Sequence, residues 1–480
     1  MSGHDVSSRG VASHDVSAGR PPASAVAGCI AALAARFGNR LVTSQAVRDH
    51  HAHTMTWLPR QSPDGVVFPQ DTADVQEIVR ICARHRVPVV PFGAGSSLEG
   101  QVNAPQGGIS IDFRDLNRVL AVHAEDLDCV IEPGVTRKQL NEYLRDQGLF
   151  FPIDPGADAT LGGMAATRAS GTNAVRYGTM RDNVLSLKVV GADGELITTS
   201  TRARKTSAGY DLTHLFVGSE GTLGVIVELT LRLHGIPEQI AAASCSFPSV
   251  AAACDATIAA IQSGIPLARI ELLDALQVKA CNAYSKLTLP EAPLLLLEFH
   301  GSTEEVKDHS GRFAEIASAN GGGDFAWTTQ AEERTRLWQA RHDAYWAGRA
   351  LRPGVEATAT DVCVPISRLA QCVVETQADL EESRLVSPIV GHVGDGNFHV
   401  LLLCDMTDAD EVARAEGVMH RLVARAQAMG GTCTGEHGVG QGKRKYLQAE
   451  LGPAALAAMA ALKGVLDPLN IMNPGKILLP

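Results

Sequence analysis

The sequence lacks paired cysteines. Ten cysteines are scattered through its 480 residues, and no two of them stand in a Cys-x-x-Cys arrangement. The ligand spacings of iron–sulfur clusters and zinc ribbons are therefore absent. The chain shows no disulfide framework either, which fits a reducing compartment.

Excess positive charge and long apolar runs are also missing. The formal net charge of -11 argues against nucleic acid as the natural partner. No uninterrupted apolar run reaches the roughly 18 residues of a membrane span, and the start of the chain lacks the charged-then-apolar order of a secretory signal. We therefore predict a cytoplasmic protein, either free or peripheral to the inner face of a membrane.

The remaining composition is that of a globular enzyme, with 45% hydrophobic and 20% charged residues. A chain of this length exceeds what one hydrophobic core usually holds, so two domains are expected. Predicted helices and strands occur in both halves, which indicates an α+β fold. The predicted divisions are a disordered tail over 1–24, a first domain over 25–235, a second domain over 236–460 and a C-terminal tail over 461–480 that returns to the first domain.

Two histidines flank an Asp-Gly pair in the segment His392–His399. Apolar runs on both sides predict a β-hairpin with Asp395 and Gly396 as its two loop residues. His392 and His399 would then face each other with Cβ atoms about 4.5–5.5 Å apart, close enough to bind one divalent cation. The same pattern is also typical of two solvated surface histidines, and the hairpin alone does not separate these readings.

A second cluster, Thr434–Gly440, follows a helix predicted over 409–429. Its glycines permit close backbone approach, and Glu436 and His437 offer a carboxylate ligand and an adjacent base. Two histidines and one glutamate with open positions suit a catalytic zinc, manganese or similar ion. The alternative for this cluster is an exposed polar turn.

The glycine-rich loops do not fit the common nucleotide motifs. In the loop that begins at Gly93, Leu98 stands where a Rossmann fingerprint needs its third glycine. A P-loop ending at Lys443 fails because His437 and Arg444 occupy positions that need Gly and Ser or Thr. Further loops over 155–173 and 218–224 are also rich in small residues, and several such loops converging on one ligand would suit a pyrophosphate. A set of ordinary tight turns would give the same composition.

Three of these loops carry a family resemblance. They read PFGAGSSLEG over 91–100, DPGADATLGG over 154–163 and GSEGTLG over 218–224. They resemble the FAD-binding motifs of enzymes of the vanillyl-alcohol oxidase type. Together with the two histidine clusters and TDVCVP over 360–365, they make the chain similar, from about residue 30 to its end, to the FAD- and cytochrome-linked D-lactate dehydrogenase family.

The resemblance implies an FAD-binding first domain that is capped by the second domain, and it implies the residues that bind FAD. Gly93, Gly95, Ser96 and Ser97 would cradle the pyrophosphate; Gly162, Gly163, Ser170 and Gly171 would line the flavin; Glu220, Gly221, Gly224 and Ile226 would hold the adenosine half; Asn473 would lie near the isoalloxazine; and Pro91, Ala94, Pro155, Gly156 and Ala157 complete the set. Some relatives attach FAD through a histidine where this chain has Ser96, so non-covalent FAD is expected. Arg168 is a bulky charge in these loops, and the resemblance assigns it no role.

The resemblance also implies a mechanism of 2-hydroxy-acid oxidation. His392, His399 and Glu436 would bind the metal that lowers the pKa of the substrate hydroxyl, and His437 would take its proton. Arg341 matches the family's substrate arginine and would pair with the substrate carboxylate, although a lone helical arginine is more often a solvated charge. Asn397 would brace the site as a supporting amide.

The expected activity is oxidation of D-lactate, or a similar small D-2-hydroxy acid, to the 2-oxo acid. Electrons would pass to an external acceptor such as a cytochrome, a quinone or another flavoprotein, and nothing in the sequence excludes a homodimer. D-2-hydroxyglutarate or glycolate are alternative substrates, but no additional lysine near 358–360 offers a partner for a second carboxylate. A flavin-free metallohydrolase and a non-catalytic flavin-binding subunit are alternatives of other classes.

Overall fold

The computed structural model describes residues 19–52 and 54–479. Up to Gly235 the chain forms three β-sheets with short helices around them. The helices are α1 (Ala23–Phe37), α2 (Gln45–His50), α3 (Thr72–His85), α4 (Arg137–Leu144), α5 (Leu161–Thr167), α6 (Ala174–Tyr177), α7 (Met180–Asn183) and α8 (Leu212–Phe216). The strands are β1 (Leu41–Val42), β2 (Gly65–Val67), β3 (Val89–Phe92), β4 (Ile109–Asp112), β5 (Val119–His123), β6 (Asp128–Ile131), β7 (Leu149–Phe150), β8 (Val184–Val190), β9 (Leu196–Thr198), β10 (Val225–Arg232) and β11 (His234–Gly235).

The three sheets differ in strand direction. The first has the order β1-β2-β4-β3, and β2 and β3 run parallel to β4. The second is antiparallel with the order β5-β6-β10-β8-β9. The third consists of the short strands β7 and β11.

The second half of the chain is built on one large antiparallel sheet, here called the cap sheet. Its strands are β12 (Gln239–Ser246), β13 (Leu267–Leu273), β14 (Leu294–Gly301), β15 (Ala326–Thr328), β16 (Glu356–Ala359), β17 (Val362–Cys363), β18 (Ile389–Gly391) and β19 (Asn397–Cys404). The helices are α9 (Val250–Gln262), α10 (Ala275–Ser285), α11 (Thr303–Ala319), α12 (Ala331–His342), α13 (Ala344–Arg349), α14 (Leu369–Glu382), α15 (Ala409–Ala428) and α16 (Leu447–Leu466). The strand order is β15-β12-β14-β13-β18-β19-β16, with β17 also paired to β19. The predicted α+β fold is confirmed.

Strand β14 shows why the cap sheet is stable. Leu295 and Leu297 face one apolar cluster, while Leu294 and Leu296 face another on the opposite side. Each of these leucines is almost fully buried. Burying one such side chain stabilises the fold by about 1.5–3 kcal/mol, so the continuous leucine run is the sequence of a strand that is covered on both faces.

The N-terminal boundary corrects one prediction. Residues 1–18 of the predicted tail lie outside the described residues, but the rest of 1–24 is ordered. Arg20 forms an ion pair with Asp64, and α1 begins at Ala23. The chain is held here because the apolar face of α1 packs into the core of the first half.

The C-terminal segment lies against the first sheet. The predicted boundary between residues 460 and 461 falls inside α16, so no break in the chain marks it. After this helix, Met472 pairs in parallel with Val89, and the backbone N–H of Asn473 donates to Val89 O at 2.8 Å. The end of the chain therefore reaches the strand that precedes the first glycine-rich loop.

A buried arginine joins the two halves of the molecule. Arg269 in β13 donates to Asp154 Oδ2 at 3.0 Å and to Asn173 Oδ1 at 3.0 Å. It also contacts Glu298 Oε2 in β14 at 3.4 Å. Burial alone would lower the pKa of Arg269, but the two carboxylates raise it above its usual value. The glycine-rich loop after Asp154 is thereby held to the cap sheet.

Helix α16 presents an apolar surface. The stretch Arg444–Leu466 is long and apolar enough to cross a membrane by length and composition, and none of its most apolar window is buried. Surface and core helices of soluble proteins also pass this test.

Asp274 provides a test of buried electrostatics in the cap. Its side chain accepts the backbone N–H of Gln277 at 2.7 Å and caps α10, and burial raises the pKa of this carboxyl to about 6. The folded state therefore binds the proton more tightly than the unfolded state, and stability is lost as the pH rises from about 4 through 6.

The substitution Asp274→Asn removes this pH-dependent loss of stability. Relative to the wild type, we expect the free energy of unfolding of this variant to increase across this window by up to ~3 kcal/mol. Its melting temperature should rise accordingly. Thermal unfolding between about pH 4 and pH 7 measures this difference, and a difference independent of pH would contradict it.

Candidate active site

Three potential metal ligands meet beside strands β18 and β19 of the cap sheet. His392 follows β18, His399 lies in β19, and Glu436 belongs to the loop between α15 and α16. Glu436 Oε1 lies 3.1 Å from His392 Nε2 and 3.2 Å from His399 Nε2. A shared divalent ion with bonds of about 2.0–2.2 Å would hold its ligands at about this spacing. The structure therefore brings together the three predicted ligands in a geometry that fits zinc or manganese.

The structure does not have the predicted two-residue hairpin between His392 and His399. Strands β18 and β19 are joined by a longer loop that contains a 3-10 turn over Val393–Asp395. The register pairs His399 with Val390 instead of His392. Val393 is fully buried in the apolar core of the cap, which draws the loop inward and carries His392 out of the ladder. The imidazole centroids still lie 5.4 Å apart.

An overlapping group of Asp361, His399 and His437 also has ligand atoms close together. His399 Nδ1 lies 2.8 Å from Thr360 O, which fixes this nitrogen as a donor and leaves Nε2 for a metal. The oxygens of Asp361 are already occupied by protein donors. Of the two groups, His392, His399 and Glu436 therefore fit an ion better.

Asp361 holds the loop that carries Glu436 and His437. Its Oδ2 accepts the backbone N–H groups of both residues at 3.0 Å. Lys443 Nζ lies 3.4 Å from the same oxygen. Burial alone would raise the pKa of Asp361, but the Lys443 ammonium and the nearby imidazoles hold it well below its usual range.

Asn397 supports this carboxylate. Its Nδ2 donates to Asp361 Oδ1 at 2.8 Å and to Val362 O at 2.7 Å. The side-chain amide of Asn397 therefore braces Asp361, and through it the loop, while its backbone N–H donates to His392 O at 3.3 Å.

Glu271 links the metal-type ligands to the predicted substrate arginine. It is fully buried in β13 and accepts from His392 Nδ1 at 2.7 Å and from Arg341 Nε at 2.7 Å. A carboxylate on the second nitrogen of a metal-binding histidine fixes its tautomer and its orientation. Burial alone would raise the pKa of Glu271, but His392 and Arg341 lower it.

His437 borders the ligand set on its open side. Its side chain is 25% exposed, and its Nε2 lies 3.8 Å from Glu436 Oε1. Burial lowers the pKa of His437 below its usual value, so the imidazole is neutral at neutral pH and can accept a proton.

The three glycine-rich loops border a common cavity. It is lined by Pro91, Gly93, Thr160, Gly162, Gly163, Gly221, Gly224 and Ile226, together with Phe92, Phe113, Pro133 and Ala166. Three buried hydroxyls of these loops, those of Ser97, Thr160 and Ser219, have no partner among the described residues. Buried polar groups normally have partners, so three orphaned hydroxyls in motif loops fit a polar cofactor such as FAD.

The remaining predicted FAD residues surround this cavity less directly. Ala94, Ser96, Gly156 and Ala157 are exposed, Gly95, Ser97, Pro155 and Ser170 are half-buried, and Gly171 is buried against Asp154. Asn473 is buried, and its Nδ2 donates to Gln101 O at 3.0 Å and Glu220 O at 2.7 Å. Both oxygens of Glu220 accept backbone N–H groups of the cap, and its backbone N–H donates to Ala166 O at 2.8 Å. The contact of Glu220 with the adenosine half therefore stays a prediction.

Arg168 ends helix α5 in the left-handed conformation, with φ 57°. Its guanidinium donates to Val217 O at 3.1 Å and lies against Gly218. The residue therefore shapes the start of the third glycine-rich loop, a role that the sequence did not indicate.

Sequence reasoning missed two residues that organise the site. Glu271 stands with Arg269 as a charged residue in the apolar strand β13, at alternate positions that share a face. Charged residues in a buried strand indicate groups that have partners, and this pattern could have identified both Arg269 and Glu271. Asp361 was quoted for the family resemblance, but no local pattern showed that it holds the loop of Glu436.

Comparisons with known proteins fit this geometry. A family model described as the C-terminal domain of FAD linked oxidases matches residues 236–477, and an FAD binding domain model matches residues 63–200. The chain belongs to the FAD-linked oxidase family. FAD as cofactor and the class of FAD-dependent oxidoreductase are thereby confirmed.

Individual relatives of this FAD-linked oxidase are also close in sequence. A probable mitochondrial D-lactate dehydrogenase of Danio rerio is 55% identical over 436 residues, covering 90% of this chain and 88% of the relative. A mitochondrial cytochrome-type D-lactate dehydrogenase of Arabidopsis thaliana is 49% identical, covering 87% and 74%. The solved structure of p-cresol methylhydroxylase with substrate bound matches with a TM-score of 0.79 at 17% identity, covering 96% and 98%, which shows the fold alone. The resemblance inferred from the glycine-rich motifs is confirmed.

Gly162 and Gly311 provide a matched test of cofactor binding. A Cβ at Gly162 would lie 2.5 Å from Pro133 Cβ and 2.8 Å from Pro133 O, whereas a Cβ at Gly311, in helix α11 of the cap, would meet nothing within 4 Å. We expect Gly162→Ala to lose most of the bound flavin because the cavity wall must shift, and Gly311→Ala to retain it. Visible flavin absorbance per protein measures both variants, and equal flavin content in the two would contradict the assignment of the cavity.

Proposed function

We propose that this FAD-linked oxidase oxidises D-lactate, or a similarly small D-2-hydroxy acid, to the 2-oxo acid. The observation that carries the proposal is the chain of contacts from Arg341 through Glu271 to His392. These contacts support a pairing of the metal-type ligand set with a cation for the substrate carboxylate. The Danio rerio and Arabidopsis relatives support the choice of D-lactate.

Arg341 is the carboxylate-binding residue in this proposal. Its Nε is held by Glu271, and among the described residues its two terminal nitrogens have no hydrogen-bond partner. The side chain is 13% exposed, so its free edge lies in a restricted space. A planar guanidinium with two free nitrogens can pair with a carboxylate through two parallel hydrogen bonds.

His392, His399 and Glu436 would hold the divalent ion, whose chemistry is to lower the pKa of the substrate hydroxyl. FAD, when bound, supplies the acceptor for the hydride from C2. His437 Nε2 would take the hydroxyl proton, since this nitrogen faces the ligand set. The Asp361 hydrogen bonds to the backbone of Glu436 and His437 keep ligand and base in a fixed relation.

The charge inventory around the site supports a monocarboxylate. Lys443 lies 3.2 Å from Glu99 and 3.4 Å from Asp361, so its charge is matched. Arg269 is matched by Asp154 and Glu298. Of these three cations, Arg341 is thus the one whose terminal nitrogens have no hydrogen-bond partner among the described residues. One free guanidinium beside the ligand set supports lactate or glycolate more than D-2-hydroxyglutarate.

Further parts of the proposal concern attachment and electron transfer. Ser96 stands where a histidine would be needed for a covalent bond, so FAD would bind non-covalently. The cytochrome named for the Arabidopsis relative supports a cytochrome-type acceptor over a quinone or another flavoprotein. A homodimer and a cytoplasmic location remain predictions. The FAD domains remove the reason to propose a flavin-free metallohydrolase, and the assembled site argues against a non-catalytic subunit.

Two histidine variants separate the metal site from the base. We expect His399→Ala to abolish turnover and to lose the bound metal, because Nε2 is one of three ligand atoms. We expect His437→Ala to lower kcat by about 10²–10⁴ while metal and flavin content stay at the wild-type level. Turnover with D-lactate and an artificial dye, together with metal analysis of each protein, measures this.

The surface residue His420 supplies the control. Among the described residues, its Nδ1 is hydrogen-bonded only to Tyr446 OH, at 2.8 Å, and its Nε2 only to Lys445 Nζ. His420→Ala should resemble the wild type. A decrease of tenfold or less in kcat for His437→Ala would remove its role as the base.

A further inference from the structure

The loop that carries Glu436 and His437 is attached to both halves of the molecule. Asp361 holds its first part from the cap side. Residues over 437–441 are also bound by the FAD-binding half. Gln101 Nε2 donates to His437 O at 2.8 Å, and the backbone N–H of Gln441 donates to Glu99 O at 2.7 Å.

Glu220 makes the most specific of these contacts. Its Oε1 accepts the backbone N–H of Val439 at 2.7 Å, and its Oε2 accepts that of Gly440 at 2.8 Å. The side chain is almost fully buried. Both oxygens of one carboxylate are thus used by two successive residues, which begin two positions after the proposed base.

The backbone of Glu220 belongs to the third glycine-rich loop. Its N–H donates to Ala166 O at 2.8 Å, and its carbonyl accepts from Asn473 Nδ2 at 2.7 Å. Its φ is +53°, in the left-handed region that favours glycine. A glycine would suit this backbone better, so the presence of glutamate indicates that the carboxylate itself is required.

We infer that Glu220 is a positioning residue that sets the loop of Glu436 and His437 over the FAD-binding loops. The inference rests on the proposed function, because it assigns to Glu220 the placement of the proposed base and metal ligand. The carboxylate acts through backbone N–H groups and touches neither substrate nor reacting atoms.

Glu220→Gln tests this inference in the FAD-loaded enzyme. Glutamine has the same size, but its NH₂ group would face a backbone N–H, so one of the two hydrogen bonds is lost. Because a small misplacement of reacting groups costs about 10²-fold in rate, we expect kcat per bound flavin to fall by about 10–100-fold. We expect zinc or manganese to bind about 10–100-fold more weakly, as when a supporting group of a metal site is removed. The KM for D-lactate should change little because Arg341 is not affected.

Two further variants provide the controls. Glu220→Asp keeps both acceptor oxygens on a shorter stem and should recover part of the lost kcat. Asp74→Asn alters another buried carboxylate of the FAD-binding half, which accepts the backbone N–H of Gln70 at 3.0 Å and does not contact the cap loop. It should change melting temperature while kcat and metal affinity stay at wild-type values.

The possible results are distinct. Wild-type kcat per flavin in Glu220→Gln, with only FAD affinity or melting temperature reduced, would overturn the inference and leave Glu220 as a cofactor or stability residue. Failure of the wild type itself to bind zinc or manganese would contradict the metal in the proposed function. The inference would then be decided by kcat per flavin alone, with a tenfold or greater loss supporting it and an unchanged value overturning it.

Discussion

Five donors converge on the buried carboxylate of Asp361: the backbone N–H groups of Glu436 and His437, and the side chains of Thr434, Asn397 and Lys443. An unpaired charge at such a depth would cost several kcal/mol. The donors are therefore held together, and with them the loop that supplies a metal-type ligand and the proposed base. The geometry of the site depends on this one carboxylate more than on any other group.

Two other buried carboxylates extend the same arrangement. Glu271 fixes His392 and Arg341 relative to each other, and Glu220 ties the end of the Asp361-held loop to the FAD-binding half. Each carboxylate connects elements that are distant in sequence and accepts at least two hydrogen bonds. Buried carboxylates with matched donors thus set the positions of Arg341, the metal-type ligands, the base and the flavin loops. They resist displacement because the loss of either partner leaves a buried charge unpaired.

The sequence predicted those parts of the molecule whose residues carry a local signal. The helix predicted over 409–429 is found as α15, Ala409–Ala428. The ligand-type residues were found because they lie in two short segments that contain glycines. The supporting groups were not found, since Glu271 lies 121 residues from His392 and Glu220 lies 219 residues from Val439. Such contacts depend on the strand order of the cap sheet and on the docking of two domains, which no local pattern encodes. The hairpin geometry failed for the same reason, because burial of Val393 outweighs the preference of an Asp-Gly pair for a two-residue turn.

The central claim is that bound FAD accepts hydride from D-lactate at this site. The most direct measurement is an anaerobic visible spectrum of the purified protein, titrated with D-lactate and, in a separate sample, with L-lactate. The account predicts flavin absorbance that bleaches with the D form and persists with the L form. Flavin absorbance that persists with D-lactate would contradict the assigned substrate, and bleaching by both forms would contradict the stereospecific site.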